Sequence, residues 1–162
     1  MVSIADARES DFEAVLRLND AEVLQTSAMD LERLRDLHAL SSYHRVARID
    51  GAVVAFLLAM RQSAPYENEN FEWFASRYGK FIYVDRIVVR SEFSRGGVGT
   101  ALYRDLFAFA RESEAGTVVC EYNIEPPNHP SRAFHDTLGF REVGRQRVAG
   151  GSKLVSLQAA RV

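Results

Sequence analysis

The stretch "RSEFSRGGVGTALYRDL", residues 90–106, joins a strand-like run to a helix-like run through three glycines in four positions. The run before it, "KFIYVDRIVV", is rich in β-branched and aromatic residues and predicts a strand. After it, Val98, Leu102, Leu106 and Phe109 recur at helical spacing. Because another strand, "TVVCEYNI", follows, the order strand–helix–strand predicts that the two strands are parallel.

The three glycines lie where backbone N–H groups at a helix start have no partner within the helix, and such a helix end suits a phosphate. The segment "SRGGVGT" therefore indicates a phosphate cradle, to which Arg95 and Thr100 add donors. A tight turn that needs glycine for a positive φ explains the same residues, so the segment alone leaves both interpretations open. Neither common nucleotide motif fits, since the P-loop lysine is missing and Leu102 replaces the last glycine of a dinucleotide fingerprint.

The rest of the chain alternates short strand and helix patterns. "VSIADA", "YHRVARI", "AVVAFLLAM", "FREVGRQRV" and "KLVSLQA" predict strands, and Asp50-Gly51 predicts a hairpin turn. "ESDFEAVLRLNDAEV" predicts a helix in which Ser10 and Glu13 are spaced as a capping box. "MDLERLRDLHAL", with Asp30 as the cap, and "SRAFHDTL" predict two more helices. Together with the parallel pair, these strands and the hairpin predict a mixed sheet.

Composition limits the classes of function. A chain of 162 residues fits one domain over residues 1–162, and the formal charge of -2, without a block of like charge, argues against nucleic acid or a membrane surface as partners. Cys120 is the only cysteine, so the chain offers no internal disulfide and no CxxC pair. The acidic N-terminus and the short apolar runs predict no signal peptide and no membrane span, and we expect a cytoplasmic protein without a metal.

Two signatures, about 30 residues apart, resemble those of the GNAT superfamily of acetyl-CoA-dependent N-acetyltransferases. Gly97-Val98-Gly99 matches the second half of the signature Gln/Arg-x-x-Gly-x-Gly/Ala, whereas Ser94 departs from its first position. "PNHPSRAFHDTLGF", residues 127–140, resembles the second signature. The resemblance implies an α+β (α/β) fold with a mixed, mostly antiparallel sheet of about seven strands, about four helices and a parallel strand–helix–strand core that binds coenzyme A.

The resemblance also implies acetyl-CoA as co-substrate. The backbone of the strand before the glycine turn would bind the pantetheine arm, and the turn would bind the pyrophosphate. The cofactor-binding residues implied are Ile87, Val88, Val89, Ser94, Arg95, Gly96, Gly97, Val98, Gly99, Thr100, Asn123, Asn128 and Ser131. Asn128 and Ser131 would otherwise be helix caps.

In this family an amine attacks the acetyl carbon directly, in a gap between two diverging parallel strands and without a covalent enzyme intermediate. Glu121 is the preferred base and Asp85 the second choice, although each could instead pair with an arginine such as Arg86. By its place in the second signature, His135 would protonate the leaving thiolate, or would merely pack its helix against the sheet. We expect Cys120 to be a buried structural thiol.

The sequence thus predicts transfer of an acetyl group from acetyl-CoA to a primary amine of an unidentified small-molecule or peptide acceptor. Two other classes remain open: a non-catalytic acyl-CoA sensor, and a nucleotide-phosphate module of another fold. The segment "RQSAPYENENFEWFASRYGK" predicts a loop with a short helix. Its aromatic residues, from Tyr66 to Tyr78, occupy the place where the family builds its acceptor pocket, and packing as core or lid explains them equally well. The resemblance is compatible with a homodimer.

Overall fold

The fold is a mixed α+β arrangement with one seven-stranded sheet, as the sequence predicted. The computed structural model describes residues 1–22 and 26–162. The strands are β1 (Val2–Asp6), β2 (Tyr43–Ile49), β3 (Ala52–Arg61), β4 (Ile82–Val89), β5 (Thr117–Glu125), β6 (Arg141–Val148) and β7 (Lys153–Arg161). The α-helices of the described part are α1 (Phe12–Ala21), α2 (Leu31–Leu40), α3 (Glu69–Ala75), α4 (Val98–Glu112) and α5 (His129–Thr137).

The strand order in the sheet is β1-β2-β3-β4-β5-β7-β6. β1 pairs with β2, β2 with β3, β5 with β7 and β6 with β7, all antiparallel. β4 and β5 pair in parallel, with Ile82 opposite Val118 and Tyr83 opposite Val119. The parallel arrangement of the strands on either side of the glycine-containing helix is therefore confirmed.

The chain divides into two compact units, which we describe separately. The first unit comprises Met1–Met60 and Val84–Phe107, and the second comprises Arg61–Tyr83 and Ala108–Val162. The prediction of one domain over residues 1–162 stays a prediction. Within the described residues, no helix combines the length and the apolar character that crossing a membrane requires.

The predicted hairpin turn and the predicted cap of α2, both in the first unit, are confirmed. Asp50 and Gly51 both have positive φ values, 52° and 80°, which is the conformation that a two-residue hairpin turn needs. Asp30 caps α2, since its Oδ1 accepts a hydrogen bond from the N–H of Arg33 (2.8 Å). The helix then buries Leu34 and Leu37 completely.

The start of α1 differs from the prediction. A 3₁₀ turn over Glu9–Asp11 precedes the helix, and Oδ2 of Asp11 accepts a hydrogen bond from the N–H of Arg8 (2.9 Å). Asp11 is also ion-paired with Arg48 and is buried, so a charged acceptor takes the place predicted for Ser10. The predicted capping box of Ser10 and Glu13 is therefore wrong. Val23, the predicted end of this helix, lies outside the described residues.

Helix α4 is anchored to β2 through Asp105, in the part of the helix that belongs to the first unit. Asp105 Oδ2 accepts hydrogen bonds from the hydroxyl of Tyr43 (2.7 Å) and from Nη1 of Arg45 (2.6 Å). Burial and the neighbouring Asp105 raise the pKa of Tyr43, so its proton is retained for this contact at any physiological pH. These two hydrogen bonds position the helix whose N-terminus carries the glycine turn.

The core of the second unit is aromatic. Phe71 and Phe74 of α3 lie within 6.4 Å of Phe81 and Tyr83, ring centre to ring centre. Trp73, from the same helix, instead faces Gly144 on β6, where a Cβ atom would lie 2.4 Å from the ring. The predicted short helix in the aromatic segment is confirmed, and its apolar face forms this core. Cys120 is buried and reduced, as predicted.

Candidate active site

The glycine-rich turn connects the end of β4 to the start of α4 in the first unit. A 3₁₀ turn over Ser91–Phe93 follows the strand, and residues 94–97 then form the turn itself. The N–H of Gly96 donates to the carbonyl of Phe93 (3.0 Å). Gly97 has a φ of 79°, a left-handed conformation that glycine adopts without steric cost. The interpretation as a tight turn therefore holds at Gly97.

The N-terminus of α4 also has the features of an anion site. The first hydrogen bond of the helix runs from the N–H of Ala101 to the carbonyl of Gly97 (2.9 Å). The N–H groups of the three residues between them come before the first donor of the helix, so they have no acceptor within it, and they lie at the positive end of its dipole. Gly97 is exposed, and a Cβ built on it would meet no atom within 4 Å. Because the space beside Gly97 is open, the turn and the phosphate cradle are compatible on the same residues.

Two side chains of the turn differ in what they can offer an anion. The hydroxyl of Ser94 donates to the carbonyl of Ser91 (2.9 Å), so its hydrogen is used within the turn. Arg95, the next residue, is exposed. Ser94 occupies the position where the resembled signature has Gln or Arg, whose side chains donate hydrogen bonds. Because the hydroxyl of Ser94 is used within the turn, Arg95 is the better donor to an anion bound at this turn.

The burial of successive residues alternates along the second half of β4. Asp85, Ile87 and Val89 are half-buried, whereas Arg86 and Val88 between them are buried. The three half-buried residues therefore share one face of the strand. Binding of a pantetheine arm by the backbone of residues 87–89 stays a prediction.

Asp85 lies in a buried ion pair. Its Oδ2 accepts a hydrogen bond from Nε of Arg86 (2.7 Å), and the two side chains are only 4% and 6% exposed. Nη1 of Arg86 also donates to Oδ1 of Asn19 and to the carbonyl of Ser27, both at 3.0 Å. The carboxylate therefore neutralises a guanidinium that ties β4 to the end of α1, which is the arginine pairing left open as the alternative for Asp85.

Glu121 on β5 accepts hydrogen bonds from two neutral side chains of the second unit. The hydroxyl of Tyr83 donates to both carboxylate oxygens, at 2.7 and 3.0 Å, and Nδ2 of Asn70 donates to Oε1 at 3.0 Å. Tyr83 is completely buried, while Glu121 is half-buried. A half-buried carboxylate that accepts from uncharged donors can gain a proton without leaving a cation unpaired.

The amide of Asn70 is held in one orientation. Its Oδ1 accepts a hydrogen bond from Nε2 of Gln146 on β6 (2.9 Å), so its NH₂ group faces Glu121. Asn68 caps α3 by accepting from the N–H groups of Asn70 and Phe71, both at 3.0 Å. α3 and β6 thus jointly fix the donor that contacts the carboxylate.

His135 is packed inside the second unit. It is 4% exposed, and its ring centre lies 5.2 Å from that of Phe140. Nδ1 lies 2.7 Å from the carbonyl of Ser131, and because a carbonyl only accepts, Nδ1 carries the proton. Burial lowers the pKa of His135, so the neutral ring is favoured at neutral pH. These contacts match the packed helix-face histidine left open by the sequence.

The remaining predicted residues gather at the start of α5. Oδ1 of Asn128 accepts from the N–H of Ser131 (3.2 Å), which is the capping contact considered as their alternative role. The N–H of Asn128 donates to the carbonyl of Asn123 (3.1 Å), and Asn123 is buried at the end of β5. The predicted contacts of these residues with the cofactor stay predictions.

Three residues of this hydrogen-bond network were not predicted from the sequence: Tyr83 and Asn70, which donate to Glu121, and Gln146, which donates to Asn70. The aromatic segment that contains Asn70 was recognised, but its amide carries no signal of its own. No group of three or more His, Cys, Asp or Glu side chains that could hold a metal occurs within residues 1–22 and 26–162.

Comparison with known proteins identifies the sequence pattern and the fold. The sequence profile described as the acetyltransferase (GNAT) family matches residues 3–140. No curated protein matches the chain.

Solved structures share the fold at low sequence identity. The ribosomal-protein-S18-alanine N-acetyltransferase from Escherichia coli is 16% identical, with a TM-score of 0.75 and coverage of 100% of this chain and 94% of that one. Ard1 from Thermoplasma volcanium is 21% identical, with a TM-score of 0.78 and coverage of 99% and 97%. yncA from Salmonella typhimurium, solved with its cofactor acetyl-CoA, is 17% identical, with a TM-score of 0.74 and coverage of 99% and 94%.

Proposed function

Because the chain belongs to the acetyltransferase (GNAT) family and is an acetyltransferase, we propose that it transfers the acetyl group of acetyl-CoA to a primary amine. The observation that carries the use of acetyl-CoA is the N-terminus of α4. There a left-handed and exposed Gly97, with open space beside it, precedes a helix whose first N–H groups have no acceptor within the helix. Such a helix end suits the diphosphate of coenzyme A. A structure of yncA with acetyl-CoA supports the choice of co-substrate.

The proposed reaction is a direct attack in a ternary complex of enzyme, acetyl-CoA and amine. The amine nitrogen bonds to the acetyl carbon, the carbon–sulfur bond breaks, and the products are an amide and the thiol of coenzyme A. An alkylamine has a pKa of about 10.4, so it must lose a proton before it can attack. We assign this proton to Glu121, directly or through a water molecule, because its partners Tyr83 and Asn70 are neutral.

Asp85 and His135 receive other roles in this proposal. Asp85 balances the buried charge of Arg86. The Nδ1 proton of His135 is held by the carbonyl of Ser131, and the lowered pKa of His135 leaves little imidazolium at neutral pH. A thiolate with a pKa of about 8.5 is a fair leaving group without a proton donor, so the reaction does not depend on an acid at this position.

The experiment incubates the protein with acetyl-CoA and a panel of amines, including free amino acids, polyamines and short peptides, and follows the release of free thiol. The panel is then repeated with Glu121→Gln, which keeps the shape of the side chain. Glu125→Gln is the matched control, since Glu125 lies on the same strand and is exposed. We expect Glu121→Gln to lower kcat/KM by roughly 100-fold to 10,000-fold, and the control to change it little.

Two results would count against the proposal. Thiol release by Glu121→Gln at the rate of the unaltered protein would remove Glu121 as the base. Tight binding of acetyl-CoA without thiol release on any amine would favour the alternative of a non-catalytic acyl-CoA sensor.

A further inference from the structure

A pocket lies within the second unit, between α5 and the β6–β7 hairpin. We call it the hairpin pocket; its volume is about 330 Å³, and its wall includes Arg132, Arg141, Glu142, Ser156 and Gln158. Ser156 and Gln158 are 0% and 1% exposed, whereas the two arginines are exposed. The pocket therefore has a buried polar floor and cationic groups nearer to solvent.

Gln158 has an amide oxygen without a donor. Its Nε2 donates to Oγ of Ser156 (2.7 Å) and to the hydroxyl oxygen of Tyr122 (3.1 Å), but Oε1 is buried and accepts no hydrogen bond from the described residues. The orientation of the amide follows from its neighbours. The single hydroxyl hydrogen of Ser156 goes to the carboxylate of Glu142 (2.6 Å), so Ser156 can only accept from Gln158. A buried, unpaired carbonyl oxygen costs about 1–3 kcal/mol and calls for an N–H or O–H donor.

The charged side chains that line the pocket favour the binding of an anion. Hydrogen bonds from Ser156 and Arg145 lower the pKa of Glu142, so this carboxylate is ionised and already satisfied. Arg132 and Arg141 make no side-chain hydrogen bond or ion pair with the described residues. The lining contains three arginines and two carboxylates, which leaves one positive charge unbalanced. Arg132 acts on Glu142 only through its charge. Guanidinium groups without hydrogen-bond partners bind carboxylates well because their N–H groups match the two oxygens.

We propose that the hairpin pocket binds a small organic monoanion that carries an O–H or N–H donor beside its carboxylate. The carboxylate pairs with Arg132 and Arg141, and the neighbouring donor satisfies Oε1 of Gln158. 2-Hydroxycarboxylates and N-acylated amino acids share this chemistry. The site is separate from the proposed base, because Glu121 and its partners do not line the pocket.

The test is a titration of the ¹⁵N-labelled protein, followed by NMR, with L-lactate, N-acetylglycine and propionate. Propionate matches lactate except for the hydroxyl group, so the comparison isolates the contact with Gln158. We expect lactate and N-acetylglycine to shift the amides of α5, β6 and β7, and lactate to bind roughly tenfold more tightly than propionate. Equal affinities for lactate and propionate, or no shifts in these elements, would overturn the proposal.

Arg141→Gln supplies the variant test, because within residues 1–22 and 26–162 this exposed side chain has no hydrogen-bond or ion-pair partner whose loss could disturb folding. We expect it to weaken lactate binding roughly 10- to 100-fold, while Arg111→Gln, an exposed arginine on α4 outside the pocket, leaves the affinity unchanged. Unchanged binding by Arg141→Gln would refute the assignment of the carboxylate.

The titration is repeated with saturating coenzyme A, since Asn123 and Asn128 line this pocket and were also predicted to bind the cofactor. Displacement of lactate by coenzyme A would show that the pocket belongs to the cofactor site, which would likewise overturn the proposal.

Discussion

Replacing Gly144 by alanine is expected to destabilise the protein by about 1–3 kcal/mol through a clash with Trp73. A Cβ at this position would lie 2.4 Å from Cζ2 and 2.8 Å from Cη2 of the indole ring. Ordinary contacts between carbon atoms are about 3.5–4.0 Å long, so the ring must move by about 1 Å. The guanidinium of Arg77 stacks on this ring at 4.0 Å, and Phe74 meets it edge-on with ring centres 5.2 Å apart, so the movement disturbs both contacts.

The measurement is thermal unfolding, in which about 1 kcal/mol corresponds to a shift of roughly 2–4 °C for a chain of this length. Gly79→Ala is the control, because a Cβ there would meet no atom within 4 Å and its φ is not positive. The double variant with Trp73→Ala completes a cycle: removing the ring should abolish the penalty at Gly144. A penalty of the same size without the ring, or a Gly144→Ala protein as stable as the Gly79→Ala control, would refute the steric argument.

Three further predictions concern stability and binding. Burial, and secondarily the charge of His38, lowers the pKa of His44 to about 4, from about 6.5 in the unfolded chain. The neutral ring therefore contributes about 3 kcal/mol to the free energy of unfolding above pH 6.5, and this contribution is lost as the pH falls toward 4. In urea unfolding, the midpoint of His44→Phe should fall less steeply with decreasing pH than that of the unaltered protein. Asp85→Asn should cost about 3–5 kcal/mol in urea unfolding because it leaves the buried charge of Arg86 unpaired, and an unchanged midpoint would contradict the structural role of the pair. Gly97→Ala should lower the free energy of unfolding by about 1–2 kcal/mol, because alanine is strained at the left-handed φ of this position. It should also weaken the binding of coenzyme A measured by calorimetry, and full affinity would argue against the phosphate cradle.

The order of the elements could be predicted from the sequence because local chemistry determines it. Asp50-Gly51 supplies two positive φ values, Asp30 accepts from a helical N–H, and Gly97 starts α4 from a left-handed conformation. Each of these signals acts over at most a few residues, so residues adjacent in the sequence are enough to predict the turn or the helix start. Where two local acceptors compete, the sequence is less decisive, as Asp11 shows by taking the place predicted for Ser10.

The neighbours of Glu121 could not be predicted because they are distant in the chain. Tyr83, Asn70 and Gln146 reach this region through the parallel register of β4 with β5, the cap of α3 and the register of β6. Strand alternation placed Glu121 on a face of β5 but said nothing about which donors would share that face. The same reasoning applies to Gln158, whose unpaired oxygen depends on the hydroxyl of Ser156 and the carboxylate of Glu142.

The choice between the two candidate bases follows from the charge of their partners. A base must accept a proton during the reaction, and Asp85 could do so only by leaving Arg86, which is 8% exposed, without a counter-charge. An unpaired buried cation costs about 3–5 kcal/mol, which is added to the energy needed to take up the proton. Glu121 has no such penalty, because the hydroxyl of Tyr83 and the amide of Asn70 are neutral before and after the transfer. Two carboxylates that look alike in the sequence thus differ in the charge of these partners, and this difference is the reason why we propose Glu121 rather than Asp85 as the base.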